Sequence, residues 1–154
     1  MGRAALTALG QYQARSVRLF DVDFARALMV AQEFQTKYPQ TLVQAAASLE
    51  ECLNGVEYAA QCSPVGMGND ESPIPVSFLR SDMAVIDAVY VPLETRFLRN
   101  AKAVGCQPVI SGLKIVIHGG IRQIQHYLGS EISPDLFPQM HKIGERAILA
   151  VFGQ

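Results

Sequence analysis

The sequence is short of charge, of any excess of one sign, and of long apolar runs, and each shortage excludes a class of function. Only 18% of its 154 residues are charged, and 13 Lys and Arg nearly balance 14 Asp and Glu for a formal net charge of −1. Without a basic excess the chain lacks the electrostatic footprint of a nucleic-acid binder. No apolar stretch is long enough to span a bilayer, so no membrane partner is expected. The opening MGRAALTALGQYQARS is interrupted by Gln and Arg and has no signal-peptide apolar core. Cysteine is scarce too: Cys52, Cys62 and Cys106 are odd in number and show no CxxC spacing. That reads as reduced thiols in a cytoplasmic protein. His118, His126 and His141 lack HExxH or HxxxH spacing, and no metal site is expected. There is no internal repeat and no low-complexity tract. What is present is apolar, 49% of residues, too much for a disordered chain and enough for the core of about one domain.

Apolar periodicity and punctuation predict the elements. A helix is expected over 3–14, with Ala4, Leu6, Ala8 and Leu9 as its stripe and Gly10 weakening it mildly. A short strand at 17–20 ends in Asp21. Asp23 is placed to cap a helix over 24–38 that carries Ala27, Val30, Ala31 and Phe34 on one face, and Pro39 stops it. A weak strand at 41–43, a helical turn at 49–53 capped by Ser48, and a strand at 56–62 follow. A loop over 63–75 holds two Gly and three Pro. Residues 83–89 form the most apolar strand. A helix over 93–104 capped by Gly105, a strand at 106–110, a helix over 113–128 ended by Gly129, and a final helix over 134–152 complete the chain. The last helix is expected to turn Leu136, Met140, Ile143, Ala147, Ile148 and Val151 inward. Short apolar strands alternating with helices imply a three-layer α/β/α, Rossmann-like architecture with a mostly parallel sheet.

Three stretches carry chemistry. Met1-Gly2-Arg3-Ala4-Ala5 looks like the tail of a glycine-rich dinucleotide loop, in which the last Gly opens the first helix close to its strand. Asp21 follows Gly2 by nineteen positions, where such folds carry the acid that binds the adenosine ribose hydroxyls. A carboxylate there repels a 2′-phosphate, and Val22 supplies no Arg to bind one, so NAD is expected in preference to NADP. The other two stretches are Gln61-Cys62-Ser63-Pro64-Val65-Gly66-Met67 and the run from Val85-Ile86-Asp87 through Val89-Tyr90-Val91-Pro92 and Thr95 to Gly105. With Gly112-Leu113 and Tyr127-Leu128-Gly129, they resemble, in order, the motifs of the shikimate/quinate dehydrogenase family. The likeness runs from Gly2 to about Met140.

That resemblance implies a nicotinamide-dependent oxidoreductase moving a hydride between a cyclic hydroxy acid and the cofactor. It implies cofactor contacts at Gly2, Arg3, Asp21, Ser63, Val65, Met67, Gly112 and Ile115, with Tyr90 on the substrate side. The alternative for residues so near strand ends is plain turn chemistry at Pro64, Gly66, Pro92 and Gly112. The chain also departs from the family. Gln61 and Ser63 replace Asn and Thr, and Val91 replaces the Asn of Y-N-P. Gly119 stands where the family carries a substrate-binding Gln, and no residue matches its Lys/Asp catalytic pair. Residues 1–154 are therefore expected to be one incomplete dinucleotide-binding domain lacking the central first strand and the preceding substrate domain. The isolated chain is expected to be inactive. It would fold as a gapped sheet, rearrange, or complete the sheet through a partner such as a second copy. A non-catalytic nucleotide-binding or oligomerising module is the main alternative, and S-adenosylmethionine binding on a similar fold is a third.

Overall fold

In the computed structural model, which describes residues 1–153, the elements run α1 (Gly2–Gln11), β1 (Ser16–Leu19), α2 (Phe24–Lys37), β2 (Leu42–Ala45), α3 (Leu49–Leu53), β3 (Tyr58–Gln61), a 3-10 turn (Val76–Phe78), β4 (Ala84–Asp87), α4 (Arg96–Val104), β5 (Val109–Ile110), α5 (Gly112–Leu128) and α6 (Leu136–Phe152). The chain divides into two compact units, Met1–Ala59 and Ala60–Gln154. Its strands lie in two sheets rather than one, β1-β2 and β3-β4-β5.

In the first unit, β1 and β2 are parallel, with Val17 opposite Val43 and Leu19 opposite Ala45. The crossover helix α2 starts as the sequence predicts, with the Asp23 carboxylate accepting from the Arg26 N–H at 3.2 Å. Leu6, Ala31, Phe34 and Val43 form the core, with Val17, Leu19, Val30, Tyr38 and Ala45 packed against it. Gly10 does more than weaken α1. A Cβ at this buried position would sit 2.4 Å from the Tyr38 ring, so the missing side chain makes room for that ring. Helix α1 stops at Gln11, three residues before the expected end, and Gln13 turns the chain with a φ of 54°. In α3 the Ser48 hydroxyl accepts from the Glu51 N–H while the Glu51 carboxylate accepts from the Ala47 N–H, a reciprocal cap.

Thr41 is 1% exposed and its hydroxyl has no hydrogen-bond partner among the described residues. Thr41→Val keeps the shape and removes that unpaired group. It should raise the unfolding free energy by about 1 kcal/mol in a urea titration, and a loss of stability would mean the hydroxyl has a partner.

In the second unit the strand order is β3-β4-β5, and β4 runs parallel to β5 with Val85 opposite Val109. Met83, Val85, Val89, Phe97, Ala101 and Ile121 are at most 1% exposed. Helix α4 begins at Arg96, later than its apolar pattern suggests, because Thr95 caps it by accepting from the Leu98 N–H at 3.3 Å. Gly105 ends it in the left-handed region at φ 93°. Helix α6 corrects the expected inward face. Ile148 is buried, but Ile143 is 65% and Val151 73% exposed, and Leu136 is exposed as well. Gly144 explains the rotation, since a Cβ there would lie 3.1 Å from Leu113 Cδ1 and 3.4 Å from Ile117 Cδ1. The glycine lets α6 settle on α5 along the 144/148 side and leaves the aliphatic stripe outside. No helix among the described residues is long and apolar enough to cross a membrane.

Candidate nucleotide-binding site

The second unit gathers three segments at the carboxyl ends of its strands, the place where open α/β sheets bind ligands. After β3, the buried Gln61 side chain folds the loop back on itself. Its amide donates to the Val65 carbonyl at 3.0 Å and its carbonyl accepts from the Ser63 N–H. The Ser63 hydroxyl accepts from the Val65 N–H at 3.3 Å, and the Met67 N–H donates to the Pro64 carbonyl at 3.0 Å. Gly66 adopts φ 91°, a left-handed turn that glycine tolerates, and its N–H donates to Asn69 Oδ1 at 3.2 Å. Met67 is 53% exposed.

The second segment is the β4–α4 loop. The Asp87 carboxylate is fully buried. It accepts from the Val89 N–H at 2.9 Å and from the Thr95 hydroxyl at 2.6 Å. Tyr90 stands on this loop with 40% of its surface exposed. The Ala88 N–H donates to the Gln61 carbonyl at 2.9 Å, tying the loop to the first segment. The third segment is the start of α5. Gly112 is buried so closely that a Cβ would fall 2.5 Å from the Val89 carbonyl oxygen. Ile115, one turn on, is partly buried. Ser111, the N-cap, makes no side-chain cap hydrogen bond. Beside these segments a cleft of about 510 Å³ is lined by Gly68, Asn69, Asp70, Pro92, Leu93, Glu94 and Arg99, with Arg99 paired to Asp70 and bonded to the Glu94 carbonyl.

Ser63, Val65, Met67, Tyr90, Gly112 and Ile115 thus belong to one crest of the second unit. Gly2, Arg3 and Asp21 belong to the first. Gly2 opens α1. Arg3 is held by Glu33, and its guanidinium lies 5.7 Å from the centre of the Phe34 ring. Asp21 follows β1 and accepts from the Asp23 N–H at 3.0 Å. Its second oxygen is 3.9 Å from the guanidinium of Arg26, a residue the sequence reading passed over. That reading named Asp87, Thr95 and Gln61 within the resembling motifs but missed their organising roles. A lone acid inside the apolar run 83–89 was the available signal.

Burial pushes the Asp87 carboxyl above the ordinary carboxylate range, with the hydrogen bonds from Thr95 and Val89 pulling the other way. A raised folded-state value means that the folded chain holds this proton more tightly than the unfolded one. The Asp87 contribution to stability therefore falls as pH rises from about 3.9 through the raised value, and is level above it. The difference in unfolding free energy between wild type and Asp87→Asn should fall across that window; a difference that grows with pH would contradict this. Burial also raises the thiols of Cys52, Cys62 and Cys106, all free, which makes them poor nucleophiles at neutral pH. His118 leans on Phe137, ring centres 5.0 Å apart. No group of three His, Cys, Asp or Glu suited to a metal occurs among the described residues.

No family model matches the chain. It is 32% identical to shikimate dehydrogenase (NADP(+)) of Haloarcula marismortui over 134 residues, 87% of this chain and 48% of that protein. It is 42% identical to the enzyme of the same name from Pyrococcus abyssi over 92 residues, 58% of this chain and 34% of that one. Among solved structures, quinate dehydrogenase from Corynebacterium glutamicum in complex with NAD superposes with a TM-score of 0.78 at 25% identity, over 92% of this chain and 50% of that one. Shikimate 5-dehydrogenase from Thermus thermophilus in complex with NADP(H) and shikimate gives 0.78 at 28% identity, over 93% and 51%. The chain spans half or less of the length of these curated relatives. In sequence and in fold it belongs to the shikimate/quinate dehydrogenase family.

Proposed function

We propose that the chain is the cofactor-binding part of a nicotinamide-dependent dehydrogenase of the shikimate/quinate type, whose reaction moves a hydride between a cyclic hydroxy acid and the cofactor. The observation that carries this is the convergence of the Ser63–Met67 loop, the Tyr90 loop and the start of α5 at the ends of β3, β4 and β5. The residues present fit such a group. Asp21 keeps an oxygen whose nearest charged partner is 3.9 Å away, free to accept from ribose hydroxyls. The first turn of α5 has no side-chain cap, and Met67 offers exposed apolar surface. On this reading Gly2 and Arg3 open the first helix toward the dinucleotide. Ser63, Val65 and Met67 border it, Gly112 and Ile115 lie toward the nicotinamide, and Tyr90 faces the substrate. The bound nicotinamide supplies the hydride acceptor or donor. No residue of this chain is assigned as the acid–base catalyst. Gly119 leaves its stretch of α5 without a side chain, and nothing lies within 4 Å of the Cβ it lacks. The ring acid taken is accordingly one that needs no amide from this position.

NAD is favoured over NADP because the Asp21 carboxylate accepts from a 2′-hydroxyl and repels a 2′-phosphate. Arg26 beside it moderates that repulsion, so the preference is one of degree. Titration calorimetry with NAD and NADP tests both points. Wild type should bind NAD the more tightly, and Asp21→Ser should narrow the gap about tenfold or more, roughly the strength of a hydrogen bond to a charged group. An unchanged NAD/NADP ratio would make Asp21 only a turn residue. The three free thiols support a cytoplasmic setting. Among the described residues β1 and β3 each pair on one side only, edges that a further strand, including one from a second copy, would complete.

A further inference from the structure

We infer that Asp87 is a positioning residue: its buried carboxylate fixes the β4–α4 loop, and with it Tyr90, in the arrangement that receives the dinucleotide. This rests on the cofactor-binding reading above. One oxygen takes the Val89 N–H at 2.9 Å and the other takes the Thr95 hydroxyl at 2.6 Å. A single side chain thereby clamps both ends of the loop on which Tyr90 stands. The same Thr95 oxygen accepts the Leu98 N–H and so starts α4. The neighbouring segments rest on what Asp87 holds. The Cβ that Gly66 lacks would lie 3.6 Å from Thr95 Cβ and Cγ2, and the one Gly112 lacks would lie 2.5 to 2.6 Å from the Val89 and Ala88 carbonyl oxygens. A shift at Val89 or Thr95 is therefore felt by the Ser63–Met67 loop and by the first turn of α5.

A carboxylate does this and an amide does not. A carboxylate accepts from both the Val89 N–H and the Thr95 O–H, while an Asn that keeps Val89 turns its NH₂ to Thr95 Oγ1, which already accepts the Leu98 N–H, and leaves the hydroxyl proton without its acceptor. A merely structural Asp87 would change melting and binding together. A positioning Asp87 separates them. Asn removes the cost of burying a charge, so melting moves little, while the loop loses one end of its clamp.

The test is fluorescence titration of the 154-residue chain with NADH, alongside thermal melts, for wild type, Asp87→Asn, Thr95→Val and Thr95→Ser. Asp87→Asn and Thr95→Val each break the bond between the Thr95 hydroxyl and Asp87 and should bind NADH about tenfold more weakly, while Thr95→Val also loses the α4 cap, which the melts report. Thr95→Ser keeps the hydroxyl and should bind within about twofold of wild type. The Val/Ser contrast decides the matter if Asp87→Asn fails to fold. Wild-type affinity in both Asp87→Asn and Thr95→Val overturns the positioning role and leaves the cofactor reading standing. Absence of NADH binding by wild type overturns the cofactor reading, and this inference with it.

Discussion

Gly112→Ala should cost the second unit about 3 kcal/mol and abolish the seating of α5, the upper end of what overpacking does. The new methyl would meet the carbonyl oxygens of Val89 and Ala88 at 2.5 and 2.6 Å. Both are main-chain atoms, one of them on a residue held by Asp87, so no rotamer change relieves the clash. Gly119→Ala is the internal control. It sits on the same helix, with nothing within 4 Å of the new Cβ, and should gain up to about 1 kcal/mol from helix propensity alone. Urea unfolding of the two variants should therefore move in opposite directions. Equal effects would mean that α5 does not start against the β4–α4 loop.

Phe97→Ala should be as severe, costing about 3–5 kcal/mol. Phe97 is 0% exposed and is the largest of the fully buried side chains. It lies in the first turn of α4, two residues beyond Thr95. Its loss leaves a cavity under the same junction that Asp87 and Thr95 tie down. A thermal melt followed by circular dichroism measures the cost. A change below about 1 kcal/mol would place Phe97 at a surface rather than in the core.

The element pattern was readable because its signals are local. Asp23, Ser48 and Gly105 cap where capping chemistry puts them, and α2 turns the expected Ala27, Ala31 and Phe34 to the core. The misreadings come from contacts between residues far apart in sequence. The outward stripe of α6 is set by where Gly144 meets Leu113 and Ile117. The value of Gly10 lies in the Tyr38 ring. In the site, turn residues marked the strand ends from the sequence, and the structure joins them. Asp87 and Thr95 were legible as members of the resembling run, but not their bond to one another, because they are eight positions apart and each reads alone as a turn or cap residue. Arg26 escaped notice because its 3.9 Å approach to Asp21 depends on how the chain turns into the first turn of α2.

The strand-end crest of the second unit is proposed to receive a nicotinamide dinucleotide. Amide ¹H–¹⁵N spectra of the chain titrated with NAD test it residue by residue. Saturable shifts are expected at the N–H groups of Ser63, Val65, Met67, Tyr90, Gly112 and Ile115, with α6 unmoved. Saturable shifts elsewhere with these residues silent, or no shifts at millimolar NAD, would contradict it.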